Sequence, residues 1–302
     1  MAMHSPLPPR DGVGATRLRV PRTGPWETIA DYVVSRFGHV DPDTLRARFE
    51  RGEVVGRDGA ALSIRSPLGA ADFIWYYREP PVEREIPFDI EILHQDDDLV
   101  VIDKPHFLPT TPSGRFLQNS ALVRLRNRLD NPDLTPIHRL DRHTAGLVMF
   151  SARPQTRGAY QTLFERREVE KEYEAISHPP TEAPEFPLTV RSHIRKERGV
   201  LRVQEIPDAA PNAETVIELI SADARMLRTR LRPHTGQMHQ LRVHLASIGA
   251  GIRNDPFYPE LLPEAPDDFT KPLQLLAREL RFVDPLSGDQ RVFTTRLDLS
   301  GA

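Results

Sequence analysis

The stretch HRLDRHTAGLVMF, His138 to Phe150, places one carboxylate, Asp141, between Arg139 and Arg142 and then runs into an apolar segment. Gly146 to Ser151 carries no charge and is bounded by polar residues, which predicts a strand buried on both faces. The acid therefore stands at the entrance to a core strand. A nearby opposite charge favours an ionised carboxylate, and such a group can cap a helix, act as a base or act as a nucleophile. A kinase catalytic loop runs His-Arg-Asp and needs a Gly-rich phosphate loop, a downstream Asn and Asp-Phe-Gly. Here the order is His-Arg-Leu-Asp and the other elements do not occur. Glycoside hydrolysis would need a second carboxylate beside the first, and none stands in a distinctive setting.

Outward from this stretch, the bounds are those of a globular protein. The chain has 302 residues, enough for one large domain or a medium domain with a small one. It contains no cysteine, which excludes disulfides, thiolate nucleophiles and cysteine-held metals. The histidines of RPHTGQMHQLRVHLA, His234, His239 and His244, recur every five residues, so a helix would spread them over different faces rather than align them as metal ligands. No metal site is expected from these spacings. No run approaches the ~20 apolar residues of a membrane span, and MAMHSPLPPRDG has prolines where a signal peptide needs an apolar core. A cytoplasmic monomer is expected.

The net charge of −3 argues mildly against a nucleic-acid partner. Its distribution argues the other way. Arg115 to Lys171 holds 11 Lys and Arg against 6 Asp and Glu, and Arg191 to Arg202 is a second basic run. These predict a basic face, with Arg124, Arg126 and Arg195 as phosphate contacts; solvated helix faces are the alternative reading.

Residues 1 to 24, rich in Pro, Arg and Gly, read as a disordered arm. Residues 25 to 82 read as a small module: Ile29, Tyr32, Val33 and Phe37 recur at helical spacing, and Asp41-Pro42 starts a second helix through Leu45 and Phe49. Short strands at Leu62 to Ile64 and Phe73 to Trp75 complete it. With a boundary at residue 83, inside the proline-rich linker REPPVEREIP, residues 83 to 302 mix strands and helices without steady alternation. That irregularity predicts an α+β domain on a mixed, mostly antiparallel sheet. Ala159 to Arg167 and Gln237 to Ile248 read as its helices.

HRLDRHTAGLVMFSA, then KEYEA with Tyr173, then TGQMHQLRVHLASIG resemble, in that order, the motifs of the RluA family of RNA pseudouridine synthases. ILHQDDDLVVIDKP and NDPFY are similar to further elements of the same family. The segment DPDTLRARFERGEVVGRDGAALSIRSPLGAADFIWY resembles the small RNA-binding domain, first known from a ribosomal protein, that precedes the catalytic domain in many of these synthases. The resemblance implies cofactor-free isomerisation of uridine to pseudouridine in structured RNA, ribosomal or transfer. It implies Asp141 as the catalytic carboxylate, Arg242 as its partner and Tyr173 as the ring that stacks on the base. Arg139 is implied to fill the space left by an everted nucleotide, Lys171 to contact phosphate, and His138, His239 and Gln240 to contact RNA, His138 also as an orienting hydrogen-bond partner. The family usually has Gly-Arg-Thr-His where this chain has Gly236-Gln237-Met238-His239. That departure, with Leu276, motivates the alternative of an RNA-binding or ribosome-assembly protein with weak or lost catalysis.

Overall fold

The computed structural model describes residues 5–78, 83–182, 184–197 and 199–300. The chain divides into two compact units, Met1–Glu83 with Gly114–Gln118, and Arg84–Ser113 with Asn119–Ala302.

The first unit contains β1 (Thr16–Arg19), α1 (Ile29–Arg36), α2 (Pro42–Glu50) and β2 (Phe73–Tyr76). Both helices begin where side chains satisfy their free N–H groups: Thr28 accepts from the Asp31 amide and Asp41 from the Thr44 amide. Pro42 occupies the first turn of α2, where a missing N–H costs nothing. Ile29, Val33, Leu45 and Phe49 then pack with Val20 and Ile74 into one core.

Two expectations are corrected in this unit. The disordered arm holds β1, which pairs antiparallel with β2 from Thr16 opposite Tyr76 to Arg19 opposite Phe73. Leu18 and Val20 turn inward while Arg17 and Arg19 face solvent. Four alternating residues among prolines and glycines are too few to stand out as a strand. Leu62 to Ile64, read as a strand, is not one; β2 takes its ladder partner from the arm instead. Residues 1–4 of the arm and 79–82 of the linker lie outside the described residues.

The second unit runs β3 (Glu91–Gln95), β4 (Leu99–Lys104), α3 (Ala121–Leu129), β5 (Thr135–Pro136), β6 (Ala145–Ser151), α4 (Pro154–Glu165), β7 (Glu170–Ser177), β8 (Leu188–Ser192) and β9 (Ile194–Lys196). It continues with β10 (Val203–Glu205), β11 (Ala213–Ala222), β12 (Leu227–Pro233), α5 (Gln240–Ser247), β13 (Leu275–Val283) and β14 (Gln290–Thr294). Ten of these strands form one sheet with the order β3-β4-β6-β13-β7-β12-β11-β8; β14 pairs with β13 and β5 with β6. Among the described residues only β6 and β13 run parallel, so the sheet is mixed and mostly antiparallel.

β6 lies between β4 and β13, and Leu147, Val148, Met149 and Phe150 are all fully buried. Leu147 and Met149 pack with Tyr160 and Leu163 of α4. On the other part of the sheet, Leu241 and Leu245 of α5 pack against Ala175, Ile217 and Leu231. Burial on both faces is why β6 reads as an unbroken apolar run.

Gly146 has φ +107° and lies opposite Ala277 across the parallel pair. A Cβ there would come within 2.3 Å of the Ala277 carbonyl oxygen, so no other residue fits. This close approach seats the Asp141 loop directly on the sheet.

Candidate active site

Asp141 sits in the turn that enters β6, where the Thr144 amide donates to the Asp141 carbonyl at 3.2 Å. The loop is held from below by β4 and the segment after it. Lys104 is fully buried, and its Nζ donates to the carbonyls of Pro105 at 3.0 Å, Leu108 at 2.8 Å and Arg142 at 3.3 Å. An ammonium has three N–H groups, and here each finds an acceptor. Burial nevertheless pulls its pKa down to about 7. Thr110 and Leu140 exchange two hydrogen bonds through the Thr110 hydroxyl, at 3.0 and 3.2 Å.

The two arginines that flank Asp141 in sequence do not hold it. Arg142 turns away and grips Asp267 in a two-point pair at 2.8 and 2.9 Å. Arg139 is exposed at the mouth of the cavity, without a side-chain hydrogen bond or ion pair among the described residues. The partner of the carboxylate is Arg242 of α5, 101 positions away, whose Nη1 donates to Asp141 Oδ2 at 3.2 Å.

Arg242 is itself 1% exposed and is held on its other edge by Asp255, with Nε to Oδ2 at 2.8 Å and Nη2 to Oδ1 at 2.6 Å. Burial works against the guanidinium charge, and the bonds of Asp255 and then the charge of Asp141 more than offset it. The Asp255 side chain is wholly buried and also accepts from the amides of Phe257 and Tyr258. Asp255 was not singled out by sequence reasoning, although NDPFY was. Its signal was an acid just before a proline turn, 13 residues after an arginine that needed compensation.

Tyr173 and Lys171 lie two apart on β7 and both reach one cavity of about 260 Å³ beside Asp141. Burial, and second the nearby Asp141 charge, push the Tyr173 phenol above its ordinary value. Burial, and second the charge of Arg167, pull Lys171 down to about 8; its Nζ donates to the Thr235 carbonyl at 3.1 Å. Thr144, Gly236, Gln237, Met238 and His239 complete the wall. The volume lies just below the ~300–1,000 Å³ typical of ligand pockets and suits a single small group.

Several sequence expectations change here. His138 does not line the cavity: its Nε2 accepts from the Met149 amide at 3.1 Å and its ring stacks on Phe164 at 4.6 Å. Burial pulls it to about 3, so its ring is neutral and its Nε2 braces the sheet. Gln240 reaches the cavity wall, but its amide is occupied by Thr235, Gln237, Glu214 and Thr215, leaving nothing to offer RNA. Arg124 and Arg126 also point inward: Arg124 donates to the carbonyls of Phe88 and Ile86, and Arg126 to that of Leu134. Local charge counts cannot see that a guanidinium is tying backbone. His239, expected to face RNA, stands with Nε2 3.8 Å from Asp141 Oδ2. Among the described residues, no group of three His, Asp or Glu side chains is placed to hold a metal ion.

Residues 98–247 match the model of the RNA pseudouridylate synthase family. The mitochondrial tRNA pseudouridine(32) synthase of Saccharomyces cerevisiae is 32% identical over 237 residues, covering 76% of this chain and 50% of that protein. Human pseudouridylate synthase RPUSD2 is 37% identical over 183 residues, only 32% of its own length. The chain thus spans half or less of these two relatives. The dual-specificity RNA pseudouridine synthase RluA of Escherichia coli is 32% identical over 214 residues, covering 68% of this chain and 93% of that one. Among solved structures, human RNA pseudouridylate synthase domain containing 4 superposes with a TM-score of 0.53 at 27% identity, over 68% of this chain and 88% of that one. With the motif order, the mixed sheet and the Asp141–Arg242 pair in place, the chain belongs to the RluA family of RNA pseudouridine synthases.

Proposed function

We propose that this protein isomerises uridine to pseudouridine in structured RNA, with Asp141 as the reacting carboxylate. The observation that carries the reading is that Asp141 is the sole carboxylate among the described residues lining the cavity. Asp255, the next acid, is consumed by Arg242 and buried. Two-carboxylate hydrolysis of a glycosidic bond therefore lacks its second group.

The isomerisation breaks the bond between C1′ of ribose and N1 of uracil, and forms one between C1′ and C5. The proton on C5 is released and N1 gains one, so no oxidant or reductant is involved. Asp141 can add to the sugar or the base as a nucleophile, or remove a sugar proton as a base. Tyr173 offers a ring face for the detached uracil, a stack worth ~1–3 kcal/mol. Arg139 is free at the mouth to occupy the space an everted base leaves, against an unstacking cost of a few kcal/mol. Lys171 supplies a positive charge for a phosphate beside the target nucleotide.

The test is transcriptome-wide pseudouridine mapping in cells with and without this protein. Loss of specific sites in the deletion, restored by the wild-type chain and not by Asp141→Asn, is the expected result. RNA that binds without any pseudouridine formed would favour the catalytically lost alternative.

Lys171 gives a pH prediction. With a pKa of about 8 it is charged below that pH and neutral above it. RNA affinity is therefore expected to fall as pH rises from 7 to 9, measured by filter binding. Lys171→Arg stays charged across that range and is expected to flatten the profile. An unchanged slope in Lys171→Arg removes Lys171 from phosphate binding.

A further inference from the structure

We infer that Tyr258 is a positioning residue for Asp141, acting through the tautomer it imposes on His239; the inference rests on the isomerase reading above. In β10 the Val203 amide donates to Tyr258 Oη at 2.7 Å and occupies one lone pair. Oη lies 3.0 Å from His239 Nδ1 and 3.5 Å from the Val203 carbonyl. Were Nδ1 to donate, the hydroxyl proton would be left with a carbonyl at 3.5 Å, the outer limit of a hydrogen bond, so the proton is assigned to the contact with Nδ1. Burial raises the pKa of Tyr258, which keeps that proton in place.

Burial also pulls His239 down to about 4, so the ring is neutral and carries a single N–H. With Nδ1 accepting, the ring proton resides on Nε2. Nε2 is the atom 3.8 Å from Asp141 Oδ2, the same oxygen that Arg242 Nη1 reaches at 3.2 Å. A movement of about 0.6–1 Å, of the kind made when a loose resting geometry tightens around substrate, brings it into the ~2.7–3.2 Å hydrogen-bond range.

The backbone supports a selected geometry. His239 precedes the first turn of α5 with φ 55° and ψ 16°, a left-handed conformation that is uncommon for a residue with a side chain. Its ring is held at 5.6 Å from both Phe257 and Tyr258. Arg242 and His239 thus converge on Oδ2, and Oδ1 is left as the oxygen that meets the uridine.

The experiment uses the full chain, [5-3H]uridine-labelled RNA from cells lacking the protein, and 15N-histidine NMR. Tritium leaves C5 as the C1′–C5 bond forms, so its release reports turnover. In the wild type, His239 is expected to show Nε2–H, assigned by its absence in His239→Gln. Tyr258→Phe is expected to lose that single tautomer and to lower kcat about ten-fold with KM for RNA little changed. His239→Gln, whose Nε2 donates without help from Tyr258, is expected to retain more activity than His239→Ala and to be insensitive to a second change Tyr258→Phe.

A stability role alone would lower the melting temperature without the split between kcat and KM. A wild-type His239 protonated on Nδ1 overturns the inference. So does Tyr258→Phe with unaltered kcat. If the wild type releases no tritium, the isomerase reading fails, and the NMR measurement still decides the tautomer independently.

Discussion

Asp141→Asn is expected to remove turnover by roughly 10²–10⁴-fold or more, the range for losing a positioned base, with a nucleophile at the upper end. The substitution is nearly isosteric, so the loop and cavity keep their shape. Arg242 keeps both bonds to Asp255 when Asp141 loses its charge, so no buried cation is left without a partner. The melting temperature is accordingly expected to stay within a few degrees of the wild type. Tritium release from [5-3H]uridine-labelled RNA, run beside thermal unfolding, separates the two effects. Near-normal release by Asp141→Asn, or by Asp141→Ala, would sink the assignment of the reacting group.

Arg242→Met is expected to cost both activity and fold. The side chain of Asp255 is wholly buried, and removing its two-point partner leaves an unpaired interior carboxylate. Breaking a buried pair from one side costs roughly 3–5 kcal/mol, a large share of the ~5–15 kcal/mol that holds a domain together. Arg242→Lys is not a rescue, because an ammonium cannot span Asp255 and Asp141 with a planar fork. The double change Arg242→Met with Asp255→Asn removes the stranded charge. It is expected to recover stability and to recover no turnover, since Asp141 still lacks its donor. Thermal unfolding of the three variants, with tritium release on each, checks this. A double variant that regains activity would mean that Arg242 serves only the fold.

The two predictions differ because one guanidinium does two jobs. Toward Asp255 it neutralises an interior acid and ties the NDPFY turn to α5. Toward Asp141, which remains about one quarter exposed, it aims a carboxylate at solvent-accessible space. A site built this way couples its geometry to its core, and a functional arginine becomes a stability determinant. The Lys104 clamp on the Arg142 carbonyl extends the same principle to the other side of the loop.

By itself the sequence determined the strand β6, because burial on both faces demands an uninterrupted apolar run, and Gly146 to Ser151 has one. It determined both helices of the small unit, because Ile29, Tyr32, Val33 and Phe37 keep helical spacing and Asp41 is a local cap whose partner lies three residues away. It also pointed to Asp141, Tyr173 and Arg242 through ordered motifs that resemble a family. Each of these rests on short-range pattern or on motif order.

Tertiary structure alone decided which arginine holds the acid. Arg139 and Arg142 were adjacent to Asp141 in the chain, yet Arg142 pairs with Asp267 and Arg139 stands at the mouth, while Arg242 arrives from α5. It decided that the His138 ring and the Gln240 side-chain amide take protein partners, and that Arg124 and Arg126 bind backbone carbonyls. It brought Asp255 and Tyr258 to the site, and it drew β1 out of an arm that had no visible period. The physical reason is common to all of them. A charge or a ring nitrogen is read in sequence only as a capacity, and which partner satisfies it depends on burial and on strand order across the sheet.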